Sequence, residues 1–168
     1  MNRVRLAGLA GFSVLLAAGS ALAAQATFTL HMDGAQETPG PGDPDGTAVG
    51  DITLNDVTGA ISWDFDYFNI ATPTLMHIHN GVFGVQGPVF IGLGVVTTGG
   101  PGTLTNSLVH GNLPQITSIL TNPDGYYVNI HNAAFGPGAV RGQLPEPTTL
   151  ALLGVGLAAC LRRRRRAA

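Results

Sequence analysis

The chain has 168 residues and a formal net charge of −2, a length that suits one domain. Residues 24–145 hold nine acids (Asp33, Glu37, Asp43, Asp45, Asp51, Asp56, Asp64, Asp66, Asp124) against one base, Arg141, so nine minus one leaves that stretch near −8 with His neutral. An acidic, lysine-free domain excludes nucleic-acid binding through phosphate contacts, and no P-loop, dinucleotide fingerprint or Gly-x-Ser-x-Gly elbow is present.

In chain order, the first element is an address. Arg3 and Arg5 form a positive region, residues 6–18 an apolar core, and "ALA" at 21–23 a small-residue cleavage site. This predicts a signal peptide over residues 1–23, cut by signal peptidase, with "AQA" ending at Ala26 as an alternative cut. Then come short strands separated by Gly, Pro, Asn and Asp. "ATFTLHMD" alternates, with Phe28, Leu30 and Met32 on one face. "GTAVGDITLN" is a second strand. In "TGAISWDFDYFNI" Ile61, Trp63, Phe65 and Tyr67 face one way, and Ser62, Asp64 and Asp66 the other. "TLMHIHN", "PVFIGL", "SLVHGN", "GYYVNIHN" and "AVRGQL" follow. One short helix is expected near 113–122, stopped by "NPDG". The pattern predicts an all-β sandwich or barrel.

The C-terminal stretch is again an address. Residues 148–161 are mostly apolar and short for a span, about 21 Å as a helix against a hydrocarbon core of about 30 Å. Residues 162–166 are five arginines, which would hold the terminus in the cytoplasm. Together with Pro145, Glu146 and Pro147 this closely resembles the PEP-CTERM sorting signal of Gram-negative envelope proteins. That resemblance implies recognition by an exosortase, removal of the tail and release to the cell surface or extracellular matrix. Membrane contact would then run only through the sorting helix before processing. The single cysteine, Cys160, falls in this tail, so the domain relies on its core rather than on disulfides.

Four segments between the addresses occur in the order of a known family: "LHMDGAQETP", "HIHNGVFGVQGPV", "YYVNIHN" and "GPGAVRGQL". Together they resemble a CHRD domain, the module of chordin and of many bacterial exported proteins, over residues 24–144. Ala139 and Asn132 depart from the family pattern, which often has an acid and a Thr there. The resemblance implies a Greek-key-like β-sandwich of Ig-like or superoxide-dismutase-like type. It implies no known reaction.

The histidines carry the chemistry that the residues suggest. His77 and His79 share a face, because residues i and i+2 of a strand point the same way. Met76 and Ile78 would take the core face. In "YYVNIHN", Val128 and Ile130 would face the core and His131 the outside. Two His from one strand and a third from a neighbour are enough for a copper or zinc site; they are also enough for a hydrogen-bonded polar cluster that holds no metal. A hairpin through "NIATPT" would set Asp66 near His77 and Asp64 near His79 as carboxylates behind the ligands. "HIH" followed by "GVFG" is similar to the copper-strand segment of copper-zinc superoxide dismutases, although that enzyme's zinc-loop histidines and paired cysteines have no counterpart here. The acidic loop at 40–46 offers Asp43 and Asp45 but lacks the ordered ligand series of a calcium loop. Arg141, the one base, is expected to pair with Glu37, or else with Asp33. The expected function is an exported, non-enzymatic binding or structural module, meeting a matrix polysaccharide or envelope protein. The alternative is a metal-binding, superoxide-dismutase-like protein using His77, His79 and His131.

Overall fold

The computed structural model describes residues 25–94 and 102–145; the leader, the 146–168 tail and Cys160 lie outside these. Eight strands follow in chain order: β1 (Gln25–Asp33), β2 (Thr47–Asn55), β3 (Ala60–Phe68), β4 (Pro73–Asn80), β5 (Val89–Gly94), β6 (Thr103–Val109), β7 (Tyr126–Asn132) and β8 (Val140–Gln143). One α-helix, α1 (Leu113–Thr121), precedes β7. Each strand coincides with an alternating or apolar run bounded by turn residues. The helix begins with a proline in its first turn and stops at Asn122, where the 3-10 turn Pro123–Gly125 takes over, as proline and glycine require.

The strands form one antiparallel sheet in the order β5-β4-β7-β8-β1-β2-β3-β6. It is nearly closed and barrel-like. Its two halves, β5-β4-β7-β8 and β1-β2-β3-β6, join through a single register pair, Asp33 with Arg141. The inner faces supply one core: Phe28, Leu30 and Met32 from β1, Ile61, Trp63 and Phe65 from β3, Met76 and Ile78 from β4, Val128 and Ile130 from β7. Ile116 and Ile119 of α1 complete it. Each such side chain contributes about 1.5–3 kcal/mol by leaving water.

The expected β3–β4 hairpin does not form. β3 pairs with β2 and β6, whereas β4 pairs with β5 and β7. The link between them is pinned by buried Ile70 and turned at Asn69, which has φ 57°. β3 and β4 are each one strand in from an edge, so the link spans the open seam rather than a tight turn.

The outer faces of the two halves differ. On β1-β2-β3-β6 the outer face is an exposed ladder of Thr and Asp: Thr29 donates to Asp51 (2.6 Å), Thr105 to Asp64 (2.5 Å) and Thr103 to Asp66 (3.1 Å). On β4-β7-β8 the outer face is covered by loops. β7 is buried along its whole length for that reason. Tyr126, Val128 and Ile130 join the core, while Tyr127, Asn129 and His131 alternate onto the covered outer side.

Candidate metal centre

Two loops make the cover. The first, residues 81–88, leaves β4 and folds back over the outer face before entering β5. Gly87 lies so close to Asn80 that a Cβ there would run into the Asn80 carbonyl, so only glycine fits. That approach delivers the Gly87 carbonyl to His79 Nδ1 at 2.9 Å. The Gly87 N–H also donates to the Tyr127 hydroxyl, at 3.3 Å. The second loop, residues 133–139, is turned by Asn132, whose Oδ1 accepts the N–H groups of Ala134 (3.0 Å) and Phe135 (2.7 Å). This Asx-type turn brings the Gly136 carbonyl to His131 Nδ1 at 2.8 Å.

A carbonyl only accepts, so both contacts fix the tautomer. His79 and His131 carry their protons on Nδ1 and present bare Nε2 lone pairs. His131 Nε2 lies 3.0 Å from His77 Nδ1, which donates to it. His79 Nε2 is buried and makes no well-formed hydrogen bond, with the Asn129 side chain beside it. One ligand nitrogen from each of His77, His79 and His131 lies within 4.8 Å of the other two. The expected clustering of the three histidines on one outer face is what the structure has. His79 and His131 are buried and His77 half-buried.

His77 and His79 are held neutral. Burial, followed by the neighbouring His131 and His79, lowers the His77 pKa to about 4. His79 is also lowered, chiefly by burial; hydrogen bonding to the Gly87 carbonyl and to the Asn129 side chain opposes this, and His131 and Arg141 reinforce it. Neutral imidazoles are what a transition metal requires. The backbone carbonyls behind His79 and His131 are the outer partners that commonly orient metal-ligating histidines. The triad could therefore hold a metal ion.

Asp64 and Asp66 are not behind these ligands. They stand on β3, in the other half-sheet, bonded to the threonines of β6. The hairpin that would have brought them over is replaced by the seam-crossing link. Their place is taken by main-chain carbonyls, which carry no sequence signature; the nearest signals were the glycines at 87 and 136 and the Asn at 132.

Arg141 and Glu37 do not form the expected ion pair. Arg141 is 1 % exposed, and its guanidinium sits 3.4 Å from the centre of the Tyr127 ring. It donates to Val82 O (2.9 Å), Val85 O (3.0 Å), Thr38 Oγ1 (2.9 Å) and Gln143 Oε1 (3.2 Å). The fold-back of the 81–88 loop supplies acceptors in the right plane, and they occupy the fork. Tyr127 in turn stacks on His79, with ring centroids 4.9 Å apart and 11° between planes. Arg141 thus clamps the loop that sets His79. Asp33 faces Arg141 in register but accepts from the backbone N–H and the side chain of Gln36 instead. Glu37 is buried with Oε1 unpartnered. Burial raises its pKa to about 7 against the attraction of Arg141 and the donors Asn129 and Thr38.

An all-β, nearly closed sheet of eight antiparallel strands, with a three-histidine constellation under two loops, is the class that the fold and site define. The sequence model of the CHRD domain matches residues 28–144, and the chain belongs to the CHRD domain family. The PEP-CTERM protein-sorting motif matches residues 143–166; it implies export, processing by an exosortase and sorting to the cell surface. No curated protein and no solved structure matches the chain.

Proposed function

We propose that this exported CHRD domain is a metal-binding module of the cell surface or extracellular matrix, taking copper or zinc at His77, His79 and His131. The observation that carries this reading is the buried, unpartnered Nε2 of His79 beside two further imidazoles. A cluster serving only to tie strands together would satisfy its buried nitrogens, since leaving one dry costs about 1–3 kcal/mol. An imidazole-only donor set suits copper and zinc alike. Tetrahedral zinc–nitrogen bonds of about 2.0–2.1 Å place ligand nitrogens about 3.4 Å apart, so small rotamer shifts bring the three into range. Three imidazoles leave a further coordination position for an outside ligand or for Asn129, whose Oδ1 is buried without a partner. In the same reading the two half-sheets correspond to the Greek-key sandwich of Ig-like or superoxide-dismutase-like type that the family resemblance implies.

Calorimetric titration of the mature domain with Cu(II) and Zn(II) tests this. One saturable site is expected, and His79→Ala should abolish it while the fold persists. Because burial lowers the pKa of His77 and His79, affinity should fall less between pH about 8 and about 6 than it would for three ordinary imidazoles of pKa about 6.5. Absence of saturable binding, or equal binding by His79→Ala, would overturn the reading.

A further inference from the structure

Two loops meet beside the Arg141 clamp. Residues 34–46 link β1 to β2, and residues 133–139 link β7 to β8. The Asp43 N–H donates to the Ala139 carbonyl at 2.8 Å and ties the loops together. Where they meet lies a cavity of about 260 Å³. Pro39 and Pro41 line it from the first loop, Phe135 and Pro137 from the second, and Glu37 and Gly138 complete it. Prolines stiffen the first loop. The Asn129 side chain holds the second by donating to the Pro137 carbonyl at 3.3 Å. The cavity is part of the folded domain before any ligand arrives.

Glu37 is the one titratable side chain on the lining. It is 7 % exposed, and its Oε1 makes no well-formed hydrogen bond. The Asn129 side chain and the Thr38 N–H stand near the carboxyl. Arg141 commits its fork to Val82, Val85, Thr38 and Gln143 instead. Position 138 offers no partner either, for a Cβ there would overlap both carboxyl oxygens. The domain thus keeps a buried carboxyl short of a partner, which weakens the fold and calls for an explanation. The terminal torsion of a glutamate is soft, so Oε1 turns toward the cavity with little strain, and a donor on a ligand meets it there.

The chemistry of that ligand follows from what the lining offers and what it lacks. No second acid, histidine or cysteine lines the cavity, so calcium, which takes roughly 6–8 oxygen ligands, finds too few. An ammonium group fits. Its bond to a carboxylate is charge-assisted, about twice as strong as a neutral one. An acidic domain whose one base is buried also draws cations toward itself. The proline and phenylalanine rings favour a body with C–H surfaces. The volume, below the roughly 300–1,000 Å³ of drug-sized sites, suits a single ring. A sugar ring that bears an amine combines these properties.

We propose that this cavity is a second binding site, which takes an amino sugar with its ring against Pro39, Pro41, Phe135 and Pro137 and its ammonium group on Glu37. The proposal is independent of the metal reading, and its failure leaves that reading untouched.

Nuclear magnetic resonance titration of the isotope-labelled mature domain, as purified, with D-glucosamine tests this. Saturable shifts are expected at the amides of Glu37, Phe135 and Gly138. N-Acetylglucosamine keeps the ring and lacks the charge, so it should bind about tenfold or more weakly. Glu37→Gln should weaken glucosamine to the same degree. That variant removes a buried charge that lacks a full partner, so the fold survives and the loss reports on binding. His79→Ala should bind glucosamine as the wild type does, because the metal centre takes no part. Absence of saturable shifts, equal binding of N-acetylglucosamine, or equal binding by Glu37→Gln would overturn the proposal. Binding of n-butylamine as tight as that of glucosamine would overturn it in favour of a site for any alkylammonium chain. Loss of glucosamine binding in His79→Ala would overturn it in favour of amine coordination at the histidine site.

Discussion

At the scale of single residues, the most informative contrast is between Arg141 and Glu37. Composition marks Arg141 as the one base of the domain and so as a residue with a fixed task. It does not reveal the task, because main-chain carbonyls from a folded-back loop leave no trace in a sequence. The guanidinium serves four acceptors and a ring, a geometry that an ammonium cannot match. Arg141→Lys should therefore destabilise the domain by about 2–3 kcal/mol, since buried acceptors are left unsatisfied at about 1–3 kcal/mol each. Urea unfolding followed by Trp63 emission measures this, and a cost within about 0.5 kcal/mol of zero would contradict the clamp. Glu37 gives the opposite lesson. Its folded pKa stands near 7, above the ordinary 4.5. Between those values the folded state holds a proton that the unfolded chain has released, so stability falls as pH rises through this window and stays reduced above it. Glu37→Gln should raise stability at pH about 8, by about 1–2 kcal/mol once solvent screening is allowed for. At pH about 4 it should change little. The same unfolding experiment at the two pH values decides it: equal effects would show that Glu37 does not titrate there.

At the scale of elements, the strands were legible because alternation survives in the sequence. Phe28, Leu30 and Met32, or Ile61, Trp63 and Phe65, declare their inward face by spacing alone. The shared face of His77 and His79 follows from the same period, and placing His131 outward needed only Val128 and Ile130 inward. Neighbouring strands were less legible. The six residues of "NIATPT" looked like a hairpin connection, but β3 pairs with β2 and with the distant β6, and β4 with β5 and the distant β7. Loops were not legible at all. Nothing in "NGVFGVQGP" states that it closes over Arg141 and Tyr127. Its glycines are the only hint: Gly87 leaves least room for a Cβ, and Gly84 takes a φ of 74°. Gly87→Ala should push the loop off the Asn80 carbonyl and withdraw the acceptor from His79 Nδ1. Loss of such an outer partner weakens metal affinity by about 10–100-fold. Competition titration with a chelator of known affinity reads that change. Unaltered affinity in Gly87→Ala would mean that the carbonyl does not orient His79.

At the scale of the whole molecule, the sequence conveys two addresses and an acidic, cysteine-free β domain between them. The number of strands and the single helix follow from turn residues and from "LPQITSILT". The joining of the two half-sheets does not, for it depends on one register pair, Asp33 with Arg141, more than a hundred residues apart in sequence. The difference between the sheet's two outer faces explains why the histidines differ from ordinary surface histidines. One half keeps a wet outer ladder of Thr and Asp. The other lies under loops, and there three imidazoles are drawn together and left one bond short. The central claim is that this shortfall is filled by a metal ion. Elemental analysis of the untagged domain, purified without chelator after release from cells that produce and process it, tests that claim most directly. The account predicts close to one equivalent of copper or zinc, and none in His79→Ala prepared in parallel. Metal no higher in the wild-type protein than in His79→Ala would contradict it.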